Sequence, residues 1–338
     1  MLETIKNLCL IDGVSGRENA VRDYIISEVS AYADSVETDP LGNLIVFKKG
    51  KETPKNKVML DAHMDEVGMM ITHINADGTL DFDCIGGIDK RVMLGKPVTV
   101  GANRVNGVIG VKATHMVPAS EKLNMPSVMY IDIGAESAED AKEVVSLGDY
   151  ACFNSDFVEF GDGFIKGRAL DDRVGCAILI DMIKSDLPYD MYFNFAAGEE
   201  VGFGIAATAF YKVQPDYAIV VETTTAADLA DVPESKKVCS LGEGGVISFM
   251  DRRTIYPKEL FDKAFELAEK NGIKAQVKAA VAGGNNAGAI HKTAGGVKTI
   301  AVSLPCRYLH SPSCVLKKED IEESAKLIRA LAEEFANG

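Results

Sequence analysis

Apolar positions along this chain change period several times, and the changes outline its elements. Val21, Ile25 and Val29 recur at helical spacing behind Ser15-Gly16-Arg17-Glu18. That stretch has the form of a capping box, with Ser15 at the N-cap and Glu18 three residues on, so a helix is expected to run to about Tyr32. Asp39-Pro40-Leu41-Gly42-Asn43 reads as a turn, and Leu44–Phe47 and Val58–Ala62 read as strands. The second of these ends in the polar group His63-Met64-Asp65-Glu66, whereas Met69-Met70 reads as core. From about Ile71 to Gly163, short alternating segments such as Pro97–Val100 and Gly107–Val111 are broken by Gly, Asn and Asp, which predicts a small β-rich unit. Asp171–Ser185 then reads as a helix, with Val174, Ala177, Ile178 and Met182 on one face. Strand-like runs return at Met191–Ala197, Tyr217–Val221 and Val297–Leu304. Helical patterns return at Pro257–Asn271, stopped by Gly272, and at Glu319–Phe335. Strands alternating with helices imply an α/β fold, a mixed sheet with a substantial parallel part flanked by helices. The expected domains are residues 1–70 plus 164–338, interrupted by an inserted β-rich unit at 71–163.

Bulk properties narrow the function classes. With 338 residues, of which 47% are hydrophobic and 25% charged, the chain is long enough for a large core. A net charge of −14 leaves no basic excess for phosphates, which argues against a nucleic-acid partner. The seven cysteines are widely spaced and include no C-x-x-C pair, so reduced thiols and a cytoplasmic location are expected. Glu3, Lys6 and Asp12 interrupt the first residues, and no apolar run approaches bilayer length, so neither a signal peptide nor a membrane association is expected.

Five local groups carry candidate chemistry: His63-x-Asp65, Asp171-Asp172, Glu199-Glu200, Glu222 and His310. Most abut a strand-like run, and strand ends are where open α/β sheets place their ligands. Taken singly, each has an ordinary explanation. Asp171-Asp172 would cap a helix, and Glu199-Glu200 would form a solvated turn. Jointly, distant acids and imidazoles at strand ends are the ligand set expected for zinc, cobalt or manganese. In an adjacent acid pair, one member can bind metal while the other handles a proton.

These residues carry a family resemblance. Asp61-Ala-His63-Met-Asp65-Glu-Val-Gly, Ala169-Leu-Asp171-Asp172-Arg173-Val-Gly, Gly198-Glu199-Glu200-Val-Gly and Cys306-Arg-Tyr-Leu-His310-Ser-Pro resemble the M42 aminopeptidases. These are di-metal peptidases that include glutamyl aminopeptidases and tetrahedral TET assemblies. Tyr130-Ile-Asp-Ile-Gly134 and Gly288-Ala-Ile-His291 fit as well. The resemblance implies a zinc-exopeptidase-like catalytic domain, a PDZ-like inserted dimerisation domain, and homo-oligomers in which dimers assemble to a dodecamer. It implies that His63 and Glu222 bind one of two divalent ions per subunit, that Glu200 and His310 bind the other, and that Asp171 bridges both. Glu199 would be the general base and Asp65 would hold the imidazole of His63. The expected activity is removal of N-terminal residues from short peptides by a metal-bound hydroxide. His73, His115 and His291 are not expected to be ligands. Two positions depart from the family pattern: Glu222, where Asp is usual, and Asn285-Asn286, where a Thr-Asp pair is common.

Two other functions compete with this one. A cellulase-like glycosidase also uses two carboxylates, but the chain has no Trp to form a sugar platform. A non-catalytic assembly protein would not need the complete ligand set and base.

Overall fold

The longest apolar runs become the middle of one eight-stranded sheet in the computed structural model of the protein, which describes residues 1–116 and 129–338. Across the sheet the order is Ser35–Thr38, Leu44–Lys48, Met191–Ala196, Val58–His63, Tyr217–Thr225, Lys298–Cys306, Gly245–Ile247 and Ala275–Val277. The four strands from Met191–Ala196 to Lys298–Cys306 lie side by side and parallel. Strands buried on both faces have no reason to alternate in polarity, and these read as nearly unbroken apolar runs.

Alternation instead decides which layer each residue joins. Val58, Leu60, Phe193, Phe195, Ile219 and Val221 face a layer of helices: Leu2–Leu10, Asn19–Val29, Leu170–Lys184, Lys258–Asn271 and Lys318–Asn337. Met59, Ala218 and Val220 face the opposite layer, built on Ala206–Val213 and Ala287–Ile290.

A closed six-stranded barrel interrupts this domain, in the order Gly68–Ile74, Leu80–Ile85, Tyr130–Asp132, Val105–Gly110, Pro97–Val100 and Tyr150–Phe153. It has its own core around Met69, Ile71, Val98, Val100 and Ile131. Its strands span Gly68 to Phe153. The next strand, Val158–Phe160, lies inside the 71–163 range but joins a separate three-stranded sheet with Phe164–Gly167 and Cys314–Lys317.

The structure corrects the reading of the N-terminus. A helix at Leu2–Leu10 precedes the expected one, burying Ile5, Leu8 and Cys9. The next helix spans Asn19–Val29, stopping short of Tyr32, and Glu18 at its N-cap makes no side-chain cap. The capping box fails because both side chains have tertiary partners. The Ser15 hydroxyl donates to Asp65 at 2.6 Å, and Glu18 Oε1 accepts from the backbone of Gly16 at 2.8 Å and Gly198 at 3.1 Å. Elsewhere the punctuation holds: Gly272 ends the Lys258–Asn271 helix in the left-handed region, at φ 63°. Met69 is fully buried in the barrel and Met70 is half-buried.

Phe193 is fully buried in the layer beneath the site strands. Phe193→Ala is expected to cost about 3–5 kcal/mol of unfolding free energy, read from the shift of the urea midpoint.

Candidate metal centre

His63 is the last residue of its strand, in register with Ala196 on one neighbour, while Asp61 is in register with Val220 on the other. Two residues further along, Glu222 stands level with His63 on the same face. Glu222 lies inside Tyr217–Thr225, because the strand continues past the apolar run that marks it in sequence. The loop after Met191–Ala196 supplies Glu199 and Glu200, and the loop after Lys298–Cys306 supplies His310.

Asp171 joins these groups. Its Oδ1 is 3.3 Å from His63 Nε2, and its Oδ2 is 3.2 Å from His310 Nε2. Glu222 Oε1 lies 3.4 Å from His63 Nε2, and Glu200 Oε2 lies 3.2 Å from His310 Nε2. The result is two triads, His63–Asp171–Glu222 and Asp171–Glu200–His310, sharing one carboxylate. Asp171 and Asp172 begin the Leu170–Lys184 helix with non-helical dihedrals. Asp172 does the capping: its Oδ1 accepts from Gly175 N at 3.1 Å and its Oδ2 from His63 N at 3.3 Å. The adjacent acids thus divide into one that fixes the helix to the His63 strand and one that faces both imidazoles.

The separations fit the donor set to metal. Two ligand atoms about 2.1 Å from one ion at a tetrahedral angle stand about 3.4 Å apart, which is the spacing found here. Both imidazoles are also turned for it. His63 Nδ1 meets the Asp65 backbone carbonyl at 3.1 Å, and His310 Nδ1 meets the Gly87 carbonyl at 2.9 Å. A carbonyl can only accept, so Nδ1 carries the proton and each Nε2 lone pair is left for a cation.

Asp65 is fully buried, and its carboxylate organises the loops. Its Oδ1 accepts from Glu199 N and its Oδ2 from Glu200 N, both at 3.0 Å, with the Ser15 hydroxyl at 2.6 Å. His63 Nδ1 lies 3.3 Å from Oδ1. Below it, Asp61 accepts from Asn194 at 2.6 Å and from Asn286 at 2.9 Å, which ties the Asn285-Asn286 loop to the His63 strand. Behind the site, Glu66 Oε1 faces Arg168 at 3.3 Å and Arg173 at 3.5 Å, and Arg168 reaches Asp12 at 2.6 Å. The sequence reading put Asp65 behind His63 and singled out Asn285-Asn286, but it missed the hold of Asp65 on the Glu199-Glu200 loop, the supports from Asp61 and Glu66, and Gly87. Of the other histidines, His73 and His115 are exposed, and His291 Nδ1 faces the Ala287 carbonyl at 2.6 Å.

Crowding sets the electrostatics. Burial, reinforced by Asp171, pushes the carboxyls of Glu200 and Glu222 well above their ordinary range. Burial also pushes Glu199 up to about 7, with Asp65 and Asp171 adding to it and His63 and Arg253 opposing. Burial disfavours the charged form of His310, yet Asp171 and Glu200 raise it to about 10. Burial is likewise overcome at His63, held well above its usual value by Glu222, Asp171 and Asp65. Burial alone would raise Asp171, but the two imidazoles hold it well below the usual range. A cavity of about 380 Å³ opens from these groups and extends past Thr223, Arg253 and Lys278.

The family model described as M42 glutamyl aminopeptidase matches residues 42–327. A putative aminopeptidase of Acetivibrio thermocellus is 39% identical over 97% of this chain and 97% of its own length. The lysyl aminopeptidase of Pyrococcus furiosus is 31% identical, over 98% of this chain and 97% of that protein. Among solved structures, a TET1 peptidase of Pyrococcus horikoshii, described as assembling into a tetrahedron or a large octahedral shell, superposes with a TM-score of 0.86. It is 37% identical and covers 98% of this chain and 99% of that one. A Thermotoga maritima structure named an endoglucanase superposes with a TM-score of 0.80 at 38% identity, covering 98% of this chain and 96% of that one.

A pH dependence follows for the metal-free protein. Glu199 binds its proton more tightly folded than unfolded, so between its unfolded value and about 7 the native state holds more protons. The raised histidines act in the same direction from their unfolded value upward. Chelated protein is therefore expected to lose stability as pH rises from about 5 to 8, measured by urea unfolding. Metal-loaded protein should lose less, or gain, over the same range, because protons compete with the metal for these ligands.

Proposed function

Because the chain belongs to the M42 glutamyl aminopeptidase family, and is with it a peptide-bond hydrolase, we propose that it removes N-terminal residues from short peptides using two divalent cations per subunit. His63 and Glu222 would hold one cation, Glu200 and His310 the other, and Asp171 both. Zinc, cobalt and manganese all suit this set of imidazole and carboxylate donors. When bound, such ions polarise a carbonyl, acidify water and bind a free amine. The observation that carries the reading is Asp171, whose two oxygens each face a different imidazole and carboxylate pair.

The chain's own residues do the rest. Glu199 belongs to neither triad, and burial places its carboxyl close to neutrality. Its carboxylate takes a proton from the attacking water and returns it to the leaving amine. Asp65 fixes where Glu199 starts from, by holding its backbone N–H, and orients His63 through Nδ1. The Gly87 carbonyl does the same for His310 from the barrel side.

We read the barrel as a PDZ-like insert through which subunits pair, and the remainder, 1–70 plus 164–338, as the catalytic domain. The Pyrococcus horikoshii relative, described as assembling into a tetrahedron or a large octahedral shell, supports a homo-oligomer, which we read as dimers that build a dodecamer. Among the described residues no helix is long and apolar enough to cross a membrane. The cysteine pattern supports a cytoplasmic location.

The endoglucanase name of one neighbour favours a second reading, glycoside hydrolysis. It leaves the two imidazoles without work, and the chain has no Trp. Glu199→Gln is expected to lower kcat for amino-acid p-nitroanilides at least about a hundredfold while two metals per subunit remain by elemental analysis. Chelation should abolish turnover and added metal restore it. Chelator-resistant sugar release from carboxymethyl-cellulose would replace the aminopeptidase reading with the glycosidase one.

A further inference from the structure

The loop that carries His310 is held in a conformation its residues do not favour. Tyr308 and His310 both have positive φ, 59° and 56°, and neither is glycine. L side chains rarely adopt this left-handed region, and a residue stays there only when its surroundings fix it. Several contacts do so from nearby. Cys314 Sγ donates to the Tyr308 and Ser311 carbonyls, both at 3.5 Å, and Ser313 N donates to Ser311 Oγ at 3.1 Å. The Gly87 carbonyl holds His310 Nδ1. None of these contacts reaches the strand that carries Glu222.

Arg307 makes that connection. The strands Tyr217–Thr225 and Lys298–Cys306 run parallel, paired from Tyr217 with Lys298 to Thr225 with Cys306. Their ladder ends one bond further, where Ala226 N donates to the Cys306 carbonyl at 2.9 Å. Both chains then turn through left-handed residues, Ala227 at φ 54° on one and Tyr308 on the other. At this exit Arg307 Nε donates to Asp228 Oδ1 at 2.6 Å, and Nη2 donates to Oδ2 at 2.8 Å. Each end of the fork is fixed in turn. The Arg307 backbone exchanges two hydrogen bonds with Val315, each at 3.0 Å, and its guanidinium lies over the Phe164 ring at 5.9 Å. Asp228 Oδ2 also accepts from Leu241 N at 3.1 Å, and the Asp228 side chain is 7% exposed. A bidentate pair with a buried carboxylate fixes orientation as well as distance, which a solvated surface pair does not.

We propose that Arg307 and Asp228 are a positioning pair, which holds His310 at its triad by locking the exits of the Glu222 and His310 strands to each other. The assignment rests on the two-ion reading of the triads, and neither residue belongs to a triad. Without the fork, Tyr308 and His310 are free to relax toward ordinary φ, and the imidazole moves off Asp171 and Glu200. His63 is fixed independently, through the Asp65 carbonyl and Asp172. The loss therefore falls on one ion and spares the other, whereas general damage to the fold would weaken both.

The test titrates metal-free wild type and variants with zinc against a chromophoric chelator, which reads the dissociation constants of the two ions without turnover. His310→Ala identifies the ion that depends on His310. Arg307→Met is expected to weaken that same ion about 10–100-fold and the other by less than about threefold. Arg307→Lys keeps the charge but not the fork, and should leave that ion at least about fivefold weaker than in wild type. In the His310→Ala background, Arg307→Met should change the remaining ion by less than about threefold, because Arg307 acts through His310. Unchanged binding of both ions in Arg307→Met, or equal weakening of the two, overturns the positioning pair while leaving the two-ion reading intact. A wild type that binds fewer than two zinc ions per subunit overturns the two-ion reading, and the positioning pair falls with it.

Discussion

One buried carboxylate holds the site's two main loops in a fixed relation. Asp65 lies just past the His63 strand and accepts the backbone N–H groups of both Glu199 and Glu200, which lie just past the next strand. Parallel neighbours of this kind share hydrogen bonds along their length, but nothing in the ladder dictates where their loops go afterwards. Asp65 supplies that information. The Ser15 hydroxyl adds a third donor and His63 Nδ1 a fourth contact. Burying a carboxylate is tolerable only when its lone pairs are filled, and here they are. The hydrogen bonds to His63 and Ser15 overcome burial and keep Asp65 below its ordinary titration range.

Around that anchor the chain gathers more negative charge than it can neutralise. Asp171, Glu200 and Glu222 converge with two imidazoles, and Asp172 and Glu199 stand close by. Without cations, burial drives most of these carboxyls toward their protonated forms, and the imidazoles toward their charged forms. Two divalent ions would remove the conflict, since the spacing of Nε2 and carboxylate oxygens fits a shared ion. The barrel takes part as well: the Gly87 carbonyl orients His310. An insertion that could have been a detachable module is therefore joined to the chemistry by one hydrogen bond.

Much of this was legible in sequence, for a definite reason. Strands buried on both faces read as unbroken apolar runs, so polar residues at their ends stand out. His63, Glu199, Glu200 and Glu222 were found in that way. The insertion showed as a change from long runs to short alternation. Its far boundary did not, because Val158–Phe160 belongs to a sheet completed only by Cys314–Lys317, far along the chain. Ser15 and Glu18 matched a local motif but answer to Asp65 and Gly198, which no local pattern reports. Gly87, Lys278 and Arg253 carried no signal either, since each reaches the site from a segment whose own pattern is ordinary. Asp171 and Asp172 were equivalent as letters. Only their backbone dihedrals separate the one that caps from the one that faces the imidazoles.

Everything proposed for the site turns on one carboxylate, Asp171, being shared between two ion sites. Anomalous scattering from crystals grown with cobalt or zinc tests it most directly. Two peaks per subunit are expected, one among His63, Asp171 and Glu222 and the other among Asp171, Glu200 and His310. A single peak, or ions bound away from Asp171, would contradict it.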